Sequence, residues 1–104
     1  MKNGRWDPVA ERLSRWARIE LLGALTRVGL NQNNIAKLCG VSKSAVSRWV
    51  RNPIYHPNNQ HTVKLLEAAW ERSRSQVERI LNLEAERFIE DMKRIEIELI
   101  GVST

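Results

Sequence analysis

Between residues 42 and 51 the chain sets three hydroxyls, Ser42, Ser44 and Ser47, among three cations, Lys43, Arg48 and Arg51. Read as one helix with Ala45, Val46 and Trp49 turned inward, the segment presents all six outward. The chemistry this offers is recognition of a polyanion that also carries hydrogen-bonding edges. A guanidinium can bond guanine O6 and N7 in a fork, an ammonium can reach the same acceptors, and short hydroxyls donate or accept at close approach. Arg48 and Lys43 therefore suit guanine, and Ser42, Ser44 and Ser47 suit neighbouring base edges. Gln32 and Asn34 stand at the start of the preceding helical segment, where free amides can hold a phosphate. Arg51, Asn52, Tyr55, Asn58 and Asn59 follow as contacts to phosphate or sugar.

No other constellation competes. Cys39, His56 and His61 match no common zinc spacing, so no metal is expected. There is no phosphate-cradling glycine loop, nucleophile motif or carboxylate pair above background, so neither catalysis nor a cofactor is expected. One cysteine in 104 residues cannot form an internal disulfide, which suits a reducing cytoplasm. No apolar run is long enough to span a bilayer, and residues 1–8 lack the apolar core of a secretory signal.

Charge divides the chain. Residues 1–64 hold eleven Lys and Arg against three acids, and residues 65–104 hold six against nine. A basic head that meets a polyanion, joined to an acidic tail with another task, is the arrangement this implies.

The elements that must position these residues are helical, and the expected fold is all-α. Asp7-Pro8 reads as an N-cap and first helical residue of a helix running to about Val28, with Gly29 as its stop. Leu13, Ala17, Leu21, Ala24 and Val28 fall on its core face, Arg12, Arg15 and Arg18 on its exposed edge, and Trp16, Ile19 and Leu22 on a second apolar side. Asn31 caps a short helix from Gln32 to Cys39, Gly40 turns the chain, and Ser42 caps the next helix to Arg51. Residues 52–59, with Pro53 and Pro57, read as an ordered loop. A further helix from Thr62 to Arg72 carries Val63, Leu66, Ala69 and Trp70 at helical spacing. Of the four tryptophans, Trp49 and Trp70 fall on core stripes, which leaves Trp6 and Trp16 for partners.

Residues 32–51 satisfy each constrained place of a helix-turn-helix. Ala36 is small where two helices cross, and Gly40 permits the positive φ of the sharp turn. Ile35, Cys39, Val41, Val46 and Trp49 are apolar where the angle between the helices must be buried. In such a motif the N-terminal residues of the second helix enter the major groove of double-stranded DNA.

From Ser75 the pattern changes. Ser75-Gln76-Val77-Glu78 matches a capping box, and Val77, Leu81, Ala85, Phe88, Met92, Ile95 and Leu99 then fall within an arc of about 80° at helical periodicity. Gly101 ends the segment. This amphipathic helix is expected to join copies of the chain into a homodimer or homotetramer through Val77, Leu81, Phe88, Met92, Ile95 and Leu99, the alternative being that it folds back on Trp16 and Ile19 within one chain. The expected division is a DNA-binding domain over 1–72 and an oligomerisation helix over 75–100, so that a chain ending at Arg72 stays folded as a monomer.

The head resembles the lambda-repressor-like regulators of phages and bacteria, and among them the cII-type transcriptional activators of phage lambda. It shares with these Arg18-Ile19-Glu20 ahead of the motif, and Gly40-Val41, Lys43-Ser44 and Ser47-Arg48-Trp49 within it. The resemblance covers roughly residues 12–72. It implies a head of four helices, DNA reading by the second motif helix, oligomerisation through a C-terminal helix and contact with RNA polymerase near a promoter. The chain departs from that pattern in a longer loop at 53–57 and in the segment from Ser75. A DNA-packaging adaptor like a small terminase subunit would join the same head to an oligomerising helix, and a polymerase-binding or antirepressor protein would turn the head toward protein instead.

Overall fold

The segment expected as one helix from Asp7 to Val28 is two, α1 (Asp7–Arg12) and α2 (Arg15–Arg27). Leu13 between them is extended, and Ser14 caps α2 by accepting the Ala17 N–H at 3.2 Å. Two side chains from elsewhere hold this break. Glu84 accepts both the Ser14 N–H (2.7 Å) and the Ser14 hydroxyl (2.9 Å), which places a carboxylate at the positive end of the α2 dipole. Arg18, expected on the exposed edge, is buried instead and bonds the carbonyls that the break sets free. Its side chain shares a face with Leu22 and Leu25, four and seven residues on, both of them buried. The cap of α1 also moves. Trp6 is the N-cap, and Asp7 is the first helical residue ahead of Pro8.

The computed structural model describes residues 4–52 and 54–100, and these contain helices and connections with no strand. The remaining elements are α3 (Gln32–Cys39), α4 (Lys43–Arg51), α5 (Asn59–Arg72) and α6 (Arg74–Leu99). Asn31 and Ser42 cap α3 and α4 as the sequence predicts. Asn58 caps α5, so this helix starts three residues before the expected Thr62 and takes Asn59 out of the loop. Ser75 does not cap α6. The helix begins at Arg74, after a kink at Ser73 (φ −155°, ψ 64°), with no side-chain cap. Pro53 in the loop and Gly101 at the expected helix stop lie outside the described residues.

One core joins these helices. α5 runs through its middle, against α1, α2, α3 and α6, and contributes Leu65, Leu66, Ala68 and Ala69. Val77 and Ile80 on the first turns of α6 are buried in the same core. Val77, expected on the oligomerisation stripe, is therefore covered within its own chain, and Leu81 is half covered. Burying Val77 and Ile80 stabilises the head by roughly 1.5–3 kcal/mol each. A chain cut at Arg72 would expose their sites on α2 and α5, so the end of the folded head lies beyond Ile80. Val28, expected in the core, is exposed at the end of α2. Trp6 and Trp16, expected to remain for partners, are engaged within the chain: Trp6 packs tilted against Trp70 at 5.3 Å, and the Arg87 guanidinium lies 4.2 Å above Trp16.

Past Asp91, α6 projects from the head with its side chains exposed, and the molecule measures 55 × 30 × 26 Å. No helix is long and apolar enough to cross a membrane among the described residues.

Candidate nucleic-acid interface

α3 and α4 meet through Ile35, Ala36, Val46 and Trp49, all buried, with Leu38, Cys39 and Val41 packed at the margin. The turn between them depends on Gly40, whose φ of 71° is left-handed. A Cβ there would meet nothing within 4 Å, so the glycine serves backbone conformation rather than space. In that conformation Val41 N–H donates to the Ala36 carbonyl at 3.0 Å, closing the end of α3. Asn31 and Asn34 exchange side chain-to-backbone bonds (2.8 and 2.9 Å) at its start, a complete capping box.

This frame turns one face of α4 to solvent. Ser42, Lys43, Ser44, Arg48 and Arg51 are exposed, and Ser47 is half-buried. The Ser42 hydroxyl accepts the Ala45 N–H at 3.1 Å. Arg51 donates to the Ser47 hydroxyl at 2.6 Å, which fixes Arg51 along the helix and leaves the Ser47 proton to donate elsewhere. Arg48 lies 5.7 Å from the Tyr55 ring, so the loop after α4 supplies a platform that narrows the range of the guanidinium.

The residues expected at phosphate or sugar divide. Gln32 stands at the N-terminus of α3, and Tyr55 is half exposed beside Arg48. The side-chain oxygens of Asn34, Asn52 and Asn58 already accept backbone N–H groups, from Asn31, Ile54 and His61 respectively. Their amide NH2 groups are what they can offer a phosphate. Asn59 is structural: its oxygen accepts from Arg18 at 2.8 Å.

Arg18 is the positioning residue that the sequence reading missed. Besides Ala10 (2.9 Å) and Leu13 (3.1 Å), it donates to the Pro57 carbonyl at 2.8 Å. Buried Pro57 and the Tyr55 platform two residues before it are thereby pinned to the α1–α2 junction. The spacing Arg18–Leu22–Leu25 was the available signal.

Behind α4, His61 faces Trp49 with ring centroids 5.3 Å apart. Its Nδ1 is buried without a hydrogen-bond partner, and burial lowers its pKa below the ordinary histidine value. The unfolded chain therefore takes up this proton at a higher pH than the folded one does. Stability from this group is complete above the unfolded value of about 6.5 and declines as pH falls through it. The urea midpoint should drop between pH 7.5 and 5.5, and His61→Phe should flatten that drop; equal slopes in the two proteins would contradict the assignment. Cys39, whose Sγ lies 3.9 Å from the His61 carbonyl, has its thiol pushed up to about 11 by burial, against a smaller opposing effect of Lys64. It is a half-buried side chain packed at the margin of the core. Among the described residues no three His, Cys, Asp or Glu side chains gather where a metal could be held.

A helix-turn-helix family model matches residues 24–69, from the last turns of α2 through most of α5. No curated protein and no solved structure matches the chain significantly. The matched span contains the whole α3–turn–α4 unit with its buried angle, its left-handed Gly40 and its outward basic face. Residues 24–69 are thus similar to a helix-turn-helix family, and the all-helical arrangement around them is consistent with a lambda-repressor-like helix-turn-helix fold.

Proposed function

We propose that the protein is a sequence-specific DNA-binding regulator of phage or bacterial type, acting at the nucleoid in the cytoplasm and assembled as a homo-oligomer through α6. The observation that carries this reading is the outward face of α4, where cations and short hydroxyls stand together on a helix whose other face is locked into the head. With the N-terminal turns of α4 in the major groove, Ser42, Lys43, Ser44, Ser47 and Arg48 read base edges. Gln32, Asn34, Arg51, Asn52, Tyr55 and Asn58 hold the flanking backbone. Shared residues at 18–20 and within the motif support the cII-type assignment, with promoter activation through contact with RNA polymerase. Neither catalysis nor a cofactor enters this function.

The test separates reading from holding. Arg48→Ala should cost about 1–3 kcal/mol at the preferred site and relax preference at one base pair. Arg51→Ala should weaken all sequences alike and lower the salt slope by about one. Selection of bound sequences followed by titration of both variants measures this, and unchanged specific binding by Arg48→Ala would overturn the docking.

A further inference from the structure

Beyond Ala85, α6 carries Phe88, Ile89, Met92, Ile95 and Leu99 each half or more exposed. This stripe does not stand alone. It runs directly into a groove of about 760 Å³ between α1 and α6, whose apolar walls are Pro8, Val9, Leu13, Leu81, Ala85 and Phe88. Ala85 is the small residue that leaves the groove open. The same helix thus holds a hollow at one end and bulky side chains without a seat at the other.

We propose that the groove is filled by the distal end of α6 from a second copy of the chain, in an antiparallel pair whose twofold axis passes near residue 90. This rests on the assembly reading above and specifies its geometry. In that register Leu99 and Ile95 of the second copy lie against Leu81 and Ala85, filling the hollow with the side chains that need cover. Phe88 meets Met92, and Ile89, on the flank of the stripe, meets its own symmetry mate. A parallel pair would set Ala85 against Ala85, leave the groove empty and bring two basic heads to the same end.

Charge favours the antiparallel choice at longer range too. Residues 84–98 hold six acids against three bases, and antiparallel pairing lays this acidic rod beside the basic head of the other copy. The two Ile80 positions, where the heads grip α6, then stand twenty residues apart along the axis, roughly 30 Å at 1.5 Å per residue. Paired heads on one face of DNA bind half-sites about one turn, or roughly 34 Å, apart. Ile97 lies on the opposite side of α6 and stays uncovered in this pair.

Disulfide trapping in full-length chains with Cys39→Ala tests the geometry. An equimolar mixture of Ala85→Cys and Ile95→Cys chains should form the mixed covalent dimer, identified by mass, and Ile89→Cys should link to itself. At an effective concentration near millimolar these links should form at least about tenfold faster than a Leu99→Cys self-link. A dimer by sedimentation in which Leu99→Cys links fastest would overturn the antiparallel pairing and leave the assembly reading in place. A monomer at working concentrations would overturn both.

Discussion

Replacing Arg18 by methionine is expected to destabilise the protein by about 3–5 kcal/mol, the range of a broken buried hydrogen-bond network. The guanidinium makes four hydrogen bonds, three of them to main-chain carbonyls of Ala10, Leu13 and Pro57. No carboxylate pairs with it among the bonds described. Its charge is instead met by the carbonyl end of α1, where the last turn leaves acceptors free. Methionine fills much of the volume and abandons every acceptor at once. At roughly 4–8 °C per kcal/mol, the melting temperature should fall by about 12 °C or more. Arg18→Lys should lie between, since an ammonium keeps the charge without the fork that reaches two segments. Arg15→Met, on the exposed side of the same turn, should change stability by less than about 0.5 kcal/mol. Thermal and urea unfolding of the three variants decide the matter, and an Arg18→Met loss under 1 kcal/mol would contradict the assigned role.

The second large effect is on binding rather than folding. Phe88→Asp should leave the helical content and the head intact, because Phe88 is 66% exposed in the single chain. It should also convert an oligomer to a monomer by placing a charge at the middle of the stripe. One head contacts too little duplex for physiological affinity, and joining two heads raises avidity by about 10²–10⁴. Specific binding should fall by that factor while binding per isolated head is kept. A chain ended after Ala85 should behave alike, since it retains Val77 and Ile80 in the core. Sedimentation and DNA titration on the same samples measure both quantities, and undiminished binding by monomeric Phe88→Asp would exclude a role for assembly in affinity.

The motif itself was legible because its constraints are local: a small residue at a crossing, a glycine at a left-handed turn, a hydroxyl or amide before each helix. Caps at Asn31 and Ser42 and the span of α3 and α4 therefore read correctly from the chain alone. What escaped depends on partners distant in sequence. The apolar periodicity of 13–28 continues through Leu13 and Ser14, and only Glu84, seventy residues away, and Arg18 reveal why the helix breaks there. The stripe of α6 reads as one surface, yet its first turns are taken by the head and its later turns are exposed. Periodicity gives the face of a helix and says nothing of how far along it a neighbour extends. The asparagines expected at phosphate illustrate the same limit, since whether an amide is free or spent on a cap is a matter of backbone path.

The bonds of Arg18 also bear on how far the recognition unit can be transplanted. Residues 24–69 are the recognisable module, but the carbonyl that anchors its last loop is held from position 18, and Leu65, Leu66 and Ala69 are roofed in part by α1, α2 and α6. A graft of that module alone into another protein would carry the reading helix without the brace that sets its platform. Under the proposed docking, swapping DNA specificity between chains of this build thus calls for exchanging single side chains on α4, with the surrounding scaffold left whole.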